Sequence, residues 1–376
     1  MNTAKRINST AATNVGIPRR VRAVRAALAL FAMSALLLTL AVLGSLWERR
    51  ITMRIDSSPP PVHYTVTDLG NAGGRYVHVC ARSINNRGQV AGEIQDGSGA
   101  FLWESGRFTK LVGVGRIAPG RSLNNRGDVV GTAAKSSREP HVVIFRGGKM
   151  IDTGVVGYGL GIDDMGRVVG CTHSGRAFLY NRGKTIDLGT LGGRTSTAQQ
   201  INDAGQIVGT SETASGESHA FLYSGGKMRD LGTLGEDRSS GTAINNEGWV
   251  AGQSRPVNAI SHAFLYRNGK MEDLGKNPWG EVSEPRAMND AGTMVGIAMR
   301  YRDPSSAVLW TGGHVYNLQN LIPPGTGWDL RQATSINDRG QITVEGYHEG
   351  DRGIQSCILT PVTGSRARTA GRREML

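Results

Sequence analysis

Short apolar runs dominate the chain after residue 55. Most of these runs are four to seven residues long and are bounded by Gly, Asn, Asp or Ser. Runs of this length between turn-forming residues predict β-strands, and helix-forming patterns are almost absent from this part of the chain. We therefore expect an all-β domain.

A repeated phrase organises the predicted strands. Each copy has an apolar residue, Asn or Asp, a polar residue, any residue, Gly, a polar residue and an apolar pair that usually ends on Gly, as in residues 201–209. The seven copies define units 1 to 7, whose lead residues are Asn85, Asn124, Asp163, Asn202, Asn245, Asn289 and Asn337. Successive lead residues are 39, 39, 39, 43, 44 and 48 positions apart. Such a period is typical of modular arrays such as propellers, because one unit alone cannot bury its apolar face.

Unit 4 shows how one repeat is expected to fold. Its pattern predicts strands at residues 197–201, 206–210, 219–223 and 228–232. The first turn contains Asn, Asp and Gly, which favour tight turns because Asn and Asp bond their own backbone and Gly accepts a positive φ. Four short antiparallel strands in about 40 residues correspond to one propeller blade.

The two ends of the repeat region complement each other. Residues 64–70 match the fourth-strand pattern and precede unit 1, whereas unit 7 ends after its third strand near Val362. We therefore predict a seven-bladed β-propeller over residues 63–362, in which the amino-terminal strand lies beside residues 357–360 and completes the last four-stranded blade. Closure of this kind removes exposed sheet edges. The alternative is an open solenoid of β-units, which should end in polar caps.

Three phrases recur in fixed order and identify a family resemblance. They are His219-Ala220-Phe221, repeated at 262–264, together with Ile201-Asn202-Asp203 and the segment 230–235. In these phrases the chain resembles the HAF family of extracellular repeat proteins over residues 64–362. The resemblance implies a bacterial, exported repeat domain and brings no catalytic residue with it. Units 2 and 7 depart most from the pattern.

The net charge of +12 is concentrated at the two ends of the chain. Residues 1–54 contain nine Lys or Arg and one Glu, and residues 363–376 contain four Arg and one Glu, which leaves +1 for the repeats. A nearly neutral repeat region lacks the cationic excess that nucleic-acid binding usually requires. We expect no nucleic-acid partner.

An apolar segment precedes the repeats. Residues 26–47 carry no charge and follow six basic residues, and about 20 apolar residues suffice to cross a bilayer. The sequence predicts one hydrophobic helix that is either an uncleaved signal anchor or a cleaved signal peptide. Basic residues before it predict a cytoplasmic amino terminus. The repeats are then expected outside the cytoplasm, in the periplasm or at the cell surface, or secreted after cleavage.

This interpretation divides the chain into five parts. They are a basic cytoplasmic segment at 1–25, the membrane span at 26–47, a linker at 48–62, the repeats at 63–362 and a basic disordered tail at 363–376.

The residue types associated with chemistry occur without a catalytic or metal-binding pattern. There is no phosphate-binding loop, no GxSxG and no HExxH, and Cys80, Cys171 and Cys357 lack metal-ligand spacing. His141, His219 and His262 occupy equivalent places in different units, where whole sheets should separate them, whereas zinc ligands must lie about 2 Å from one ion. We therefore predict no cofactor, no metal and no enzymatic activity.

The loops offer the best candidates for binding. In a four-stranded blade the turns between strands one and two and between strands three and four lie on one face, which we call the constant face because these turns vary little. The remaining loops form the variable face, and loops on a rigid scaffold often bind ligands. In the later units these loops gain aromatic residues and arginine, which are enriched at binding hot spots. The candidate partner-binding residues are Trp279, Tyr301, Arg302, Trp328, Tyr347 and His348.

The sequence thus predicts an exported, membrane-tethered propeller that binds a surface protein or a glycan. The alternative is an envelope hydrolase or lyase that acts on carbohydrate with two carboxylates of the variable face. Its candidate carboxylates are Glu281, Glu284, Asp303, Glu345 and Glu349.

Overall fold

The protein is an all-β propeller in a computed structural model. The structure describes residues 62–362 except 71–77, 96, 98, 119, 135–138, 258, 301 and 352. The predicted amino-terminal helix at 26–47 and the tail at 363–376 lie outside the described residues, as does all but residue 62 of the linker at 48–62.

The strands follow the repeat units closely. Strand β1 is Tyr64–Asp68, and unit 1 contains β2 (Val79–Ile84), β3 (Val90–Ile94), β4 (Gly99–Glu104) and β5 (Arg107–Leu111). Units 2 and 3 contain β6 (Val129–Ala134), β7 (Pro140–Arg146), β8 (Lys149–Ile162), β9 (Val168–Thr172), β10 (Ala177–Asn181) and β11 (Lys184–Asp187). Units 4 and 5 contain β12 (Gly192–Ile201), β13 (Ile207–Thr213), β14 (Ser218–Ser224), β15 (Lys227–Asp230), β16 (Gly235–Ile244), β17 (Val250–Pro256), β18 (His262–Arg267) and β19 (Lys270–Asp273). Units 6 and 7 contain β20 (Val282–Met288), β21 (Met294–Met299), β22 (Ser306–Thr311), β23 (His314–Asn317), a 3-10 helix at Leu318–Leu321, β24 (Trp328–Ile336), β25 (Ile342–His348) and β26 (Gln355–Pro361).

The first and last strands of the described chain pair with each other. Strand β1 is antiparallel to β26, with Tyr64 opposite Pro361 and Asp68 opposite Cys357. The resulting sheet has the order β1-β26-β25-β24. The prediction that the amino-terminal strand completes the last unit is confirmed.

Strand pairing does not give seven separate sheets. Among the described residues the strands form three sheets of four, one of six and one of eight. The six-stranded sheet arises because β8 runs without interruption from unit 2 into unit 3, and the eight-stranded sheet arises because β14 and β16 share one parallel pair, Ser218 with Arg238. Unit 2 also lacks a regular first strand, which is reduced to the pairs Arg116–Thr132 and Leu123–Val129. The expected count of seven four-stranded sheets is corrected accordingly.

The repeated Gly that ends the apolar pair has a packing role. Gly209 lies directly opposite Phe221 on the neighbouring strand, and Phe221 is fully buried. A Cβ on Gly209 would lie 2.9 Å from the Phe221 ring and 1.9 Å from the carbonyl oxygen of Thr197. The same partnership joins Gly92 to Phe101, Gly170 to Phe178 and Gly252 to Phe264. The repeat therefore keeps Gly because the aromatic ring of the third strand occupies the space of its side chain.

The lead Asn fixes the first turn and joins one unit to the next. In unit 4 the Asn202 Oδ1 accepts from the backbone N of Gln206 at 2.9 Å, while its Nδ2 donates to the carbonyl of Asn245 in unit 5 at 2.9 Å. The equivalent Asn337 of unit 7 donates to the carbonyl of Asn85 in unit 1 at 2.8 Å. Unit 7 therefore bonds to unit 1 in the same way as unit 4 bonds to unit 5.

A second series of hydrogen bonds runs through the residue after each lead residue. The backbone N of Asp203, for example, donates to Asn246 Oδ1 of the next unit at 3.0 Å. Bonds of this kind, between 2.7 and 3.0 Å, lead in turn from Asn86 to Asn125, Asp164, Asp203, Asn246, Asp290, Asp338 and back to Asn86. All seven units are joined in one closed cycle on the constant face.

The membrane prediction needs correction. Within the described ranges no helix is long and apolar enough to span a bilayer, and the segment 26–47 lies outside those ranges. The expected membrane-anchored position outside the cytoplasm therefore has no support in the structure and is withdrawn.

Candidate binding site at the mouth of the central channel

A propeller arranges its blades around a central channel, and the first strand of every unit except unit 2 contains a β-bulge. The pairing register skips one residue between Ala81 and Ser83, between Ala198 and Gln200, and between Pro285 and Ala287. A bulge redirects the side chain of the extra residue. In units 1 and 6 that residue is arginine, Arg82 and Arg286.

The segment around Gly120 crosses the channel at the place where unit 2 lacks a regular first strand. The backbone N of Gly120 donates to Arg82 O at 3.0 Å, and Gly120 O accepts from the hydroxyls of Ser83 and Ser335 at 2.8 Å each. On its other side Gly120 approaches Gln200, which reaches towards Arg286 O. Residues of units 1, 4, 6 and 7 therefore meet at this glycine of unit 2.

The end of the central channel at the constant face is narrow. It is a cavity of about 30 Å³ lined by the lead asparagines Asn85, Asn124, Asn289 and Asn337 among others. This volume corresponds to about one water molecule.

The end of the channel towards the variable face holds a cluster of charged and polar side chains, which we call the polar cup: Arg82, Glu93, Glu284, Arg286, Gln332 and Glu345. Arg82 Nη1 lies 3.1 Å from Glu345 Oε1, and Arg82 Nη2 lies 3.3 Å from Glu93 Oε2. Gln332 Nε2 donates to the second oxygen of Glu345 at 2.5 Å, and Arg286 Nε lies 3.4 Å from Glu284 Oε1. Residues of units 1, 6 and 7 thus converge at this mouth.

Glu345 is the most deeply buried charged group of the cup. Its side chain is only 3% exposed, whereas that of Arg82 is 22% exposed and that of Arg286 is 29% exposed. Burial raises the pKa of Glu345, because the charged carboxylate loses hydration, while Arg82 and the bond from Gln332 act in the opposite direction. A buried carboxyl with a raised pKa beside polar, partly open groups is a candidate functional residue.

An aromatic rim lies next to the cup on strands β24 and β25, which also carry Gln332 and Glu345. Trp328 lies opposite His348, and Asp329 lies opposite Tyr347. The Trp328 and His348 rings are 5.2 Å apart, and the Arg331 guanidinium lies over the Tyr347 ring at 5.6 Å. Tyr347 is 45% exposed, but Trp328 is only 6% exposed and belongs to the core. Within the rim, therefore, Tyr347 presents the larger free aromatic surface.

Trp279 and Arg302 lie outside the strand pair β24–β25 that carries this rim. Trp279 is half-buried against the core between units 5 and 6, and its backbone N bonds to Asn277 Oδ1 at 3.0 Å. Arg302 is exposed with a φ of 70°, and Tyr301 lies outside the described residues. The prediction that these six residues form a binding sector stays a prediction, with Trp328, Tyr347 and His348 adjacent to one another.

The five candidate carboxylates are likewise dispersed. Glu345 and Glu284 belong to the cup, whereas Glu281 and Glu349 are exposed and Asp303 pairs with Arg300 at 3.5 Å. Sequence reasoning missed Arg82, Glu93, Arg286 and Gln332. A signal for the arginines was present, because both stand two positions before the lead apolar residue of their unit.

The repeated His has a structural partner. His219 Nδ1 lies 2.8 Å from Asp230 Oδ2, His262 Nδ1 lies 3.0 Å from Asp273 Oδ1, and His141 Nδ1 lies 3.3 Å from Asp152. Each pair joins the third and fourth strands of one unit. The second carboxylate oxygen of Asp230 also accepts from the backbone N of Gly232 at 2.7 Å. Two phrases of the repeat, His-Ala-Phe and Asp-Leu-Gly, are thus the two halves of one cross-strand contact.

Comparisons with known proteins show the fold. No family model and no curated protein matches the chain. Among solved structures, the β-propeller domain of the Trilobed protease from Pyrococcus furiosus, which has an open velcro topology, has a TM-score of 0.51 at 10% identity and covers 75% of this chain and 93% of that chain. A gluconolactonase from Xanthomonas campestris has a TM-score of 0.42 at 11% identity, with 81% and 99% covered. An acylaminoacyl peptidase from Pyrococcus horikoshii has a TM-score of 0.48 at 10% identity, with 78% and 53% covered.

The similarity to the propeller domain of a protease corrects one prediction. The sequence indicates a protein without enzymatic activity, yet the fold is shared with a domain of a protease. Propellers serve many unrelated functions. The fold therefore gives no ground for excluding an enzyme.

Proposed function

We propose that the chain is a seven-bladed propeller of the HAF repeat type that binds a ligand or partner at the polar cup and its aromatic rim. The closed cycle of seven side-chain acceptors supports the blade number, since each unit contributes one member. The sheets that run together at β8 and at β14 then each contain two blades.

One observation carries the binding proposal: polar and charged side chains lie on the same strand pair as an exposed aromatic ring. Glu345 and Tyr347 are two residues apart on β25, and Gln332 and Arg331 lie on the neighbouring β24. Binding pockets commonly combine a few placed polar groups with aromatic surface. The pair β24–β25 offers both without rearrangement.

Peptide and glycan arrays probed with the full chain would test this function. We expect a signal that Tyr347→Ala reduces at least tenfold, because the variant removes the exposed ring and leaves the core intact. Tyr158→Ala is the matched control, since Tyr158 is a 39% exposed tyrosine in unit 3. A signal that both variants reduce equally, or that neither changes, contradicts the proposal.

A second candidate function is hydrolysis or cleavage of a carbohydrate with Glu345 as the proton donor. The raised pKa of the buried Glu345 carboxyl favours this candidate, because a general acid must hold its proton near the working pH. Release of reducing ends from a panel of polysaccharides would measure it. Glu345→Gln should abolish release, and unchanged release in this variant excludes Glu345 as the acid.

A further inference from the structure

We infer that the polar cup binds a neutral polyhydroxylated ring, that is, an uncharged pyranose sugar. The inference rests on the proposed function, because it names the class of ligand that the channel mouth receives.

The cup contains hydrogen-bond donors that the described residues leave without an acceptor. Arg82 Nε, and Arg331 Nε beside the rim, are buried and lack a hydrogen-bond partner within the described part of the chain, while Arg286 Nε is buried and lies 3.4 Å from Glu284 Oε1 without hydrogen-bond geometry. The other two nitrogens of Arg82 are occupied by Glu345 and Glu93. A buried donor without an acceptor is destabilising, so acceptors from a ligand would stabilise this arrangement.

Acceptors stand next to these donors. Glu93 accepts from the backbone N of Ile117 at 2.8 Å through Oε1 and from Arg82 through Oε2, and each carboxylate oxygen has a further lone pair. Glu284 contacts Arg286 at the edge of the cup. A sugar hydroxyl both donates and accepts hydrogen bonds. Adjacent hydroxyls on one ring therefore match the arginine donors and the neighbouring carboxylate acceptors of the cup.

The charge of the cup favours a neutral ligand. Its two guanidinium groups, Arg82 and Arg286, face three carboxyl groups, Glu93, Glu284 and Glu345. A carboxylate or phosphate ligand would add a like charge to a site without a cationic excess, and such juxtapositions are unfavourable. An uncharged hydroxylated ligand meets no such repulsion.

The position of the cup also suits a ring. Arg82, Glu93, Glu284 and Arg286 keep between 21% and 29% of their side chains exposed, so the cup opens to solvent above the buried Glu345. Tyr347 stands two residues from Glu345 on the same strand, and an aromatic face at the mouth can pack against the apolar face of a pyranose.

Calorimetric titration of the full chain with glucose, galactose, N-acetylglucosamine and cellobiose, beside galacturonate, would test the inference. We expect at least one neutral sugar to bind and galacturonate to bind at least tenfold more weakly than its neutral counterpart galactose. Arg286→Lys, which keeps the charge but removes the Nε donor, should weaken sugar binding at least tenfold. Arg238→Lys is the matched control, because Arg238 is 74% exposed and makes only a 3.8 Å contact with Asp237.

Three outcomes would overturn the inference: no binding of any neutral sugar at millimolar concentration, preferential binding of galacturonate, or sugar binding that Arg286→Lys leaves unchanged. Arg82→Lys repeats the test from unit 1, and thermal unfolding shows whether either variant is folded. A peptide or another ligand that binds through Tyr347, in the absence of sugar binding, would refute the sugar but keep the proposed binding function.

Discussion

Asn337 donates a hydrogen bond from its side-chain amide to the carbonyl of Asn85, which precedes it by 252 residues, at a distance of 2.8 Å. The same side chain accepts from the backbone N of Arg339 and of Gln341 through Oδ1. One residue therefore fixes the first turn of unit 7 and joins that unit to unit 1.

Asn337→Ala should lower the free energy of unfolding by about 1–3 kcal/mol, because it leaves the buried Asn85 carbonyl and two turn amides without their partner. Urea unfolding measures the change. Asn181→Ala, at an exposed position, is the control and should stay within about 0.5 kcal/mol of the parent. Equal effects of the two variants would show that the contact between units 7 and 1 contributes little.

Gly120→Ala should destabilise the protein by more than a simple turn substitution. Gly120 has a φ of 101°, and a Cβ there would lie 2.2 Å from Gln200 Nε2. Gln200 is 2% exposed and its Oε1 accepts from the backbone N of Ile244, so moving it breaks a second contact. We expect a loss of about 2 kcal/mol or more.

Gly120→Ala combines backbone strain at a positive φ with a clash against Gln200, and Gly226→Ala separates these two contributions. Gly226 has a φ of 80° with open space around its Cβ position, so this control reports the backbone strain alone, about 1 kcal/mol. If both variants unfold at the same urea concentration, the approach of Gly120 to Gln200 is not tight in solution.

Glu345→Gln should change how stability depends on pH. Burial raises the pKa of Glu345 above the ordinary value of 4.5, so the folded protein holds more protons than the unfolded chain. The contribution of this carboxyl to stability is therefore complete below pH 4.5 and is lost as the pH rises through the folded pKa, by about 1.4 kcal/mol for each unit of the shift.

The Glu345→Gln variant has no carboxyl group to ionise at this position. Its free energy of unfolding, relative to that of the parent, should therefore be higher at pH 8 than at pH 5. Urea unfolding of both proteins at a series of pH values gives the difference. A difference that stays constant from pH 5 to pH 8 would mean that the pKa of Glu345 is not raised in solution.

Trp328→Ala and Tyr347→Ala should differ in how much they lower stability, although both residues are aromatic and belong to one strand pair. Trp328 is buried in the core, and its removal should cost about 3–5 kcal/mol. Tyr347 is exposed, and its removal should change stability by about 0.5 kcal/mol or less. Thermal unfolding distinguishes them, and a destabilised Tyr347→Ala would disqualify this variant as a test of binding.

Asp230→Ala should destabilise unit 4 more than His219→Ala. Asp230 both pairs with His219 and accepts from the backbone N of Gly232, whereas loss of the histidine removes only the pair. A double-mutant cycle should give a coupling of about 0.2–1 kcal/mol for this partly exposed contact. A greater loss in His219→Ala would place the main role of the histidine elsewhere.

The strands and turns could be predicted well from the sequence because short residue patterns within each unit determine them. Turn glycines, the four strands of unit 4 and the pairing of residues near Tyr64 with those near Cys357 follow from patterns only a few residues long. The merging of units 2 and 3 through β8 could not be predicted, since it depends on whether a strand bends or continues between two units.

The binding site was less predictable than the fold. Solvent exposure decides whether an aromatic residue packs or binds, and the identical appearance of Trp328 and Tyr347 as loop aromatics concealed this difference. The polar cup depends on contacts between residues such as Arg82 and Glu345, which lie 263 residues apart. Periodicity does reveal that Arg82 and Arg286 share a position in the repeat, but not which carboxyl groups they approach.

The pairing of β1 with β26 also constrains how the protein is made. Thr65 and Thr360 lie in these paired strands, yet they are separated by 295 residues. The amino-terminal strand leaves the ribosome first and must wait for nearly the whole chain before its partner is synthesised, while a long chain segment has to bring its ends together. Until then units 1 and 7 each present an unfinished surface, so a chain that stalls before residue 355 cannot complete the ring.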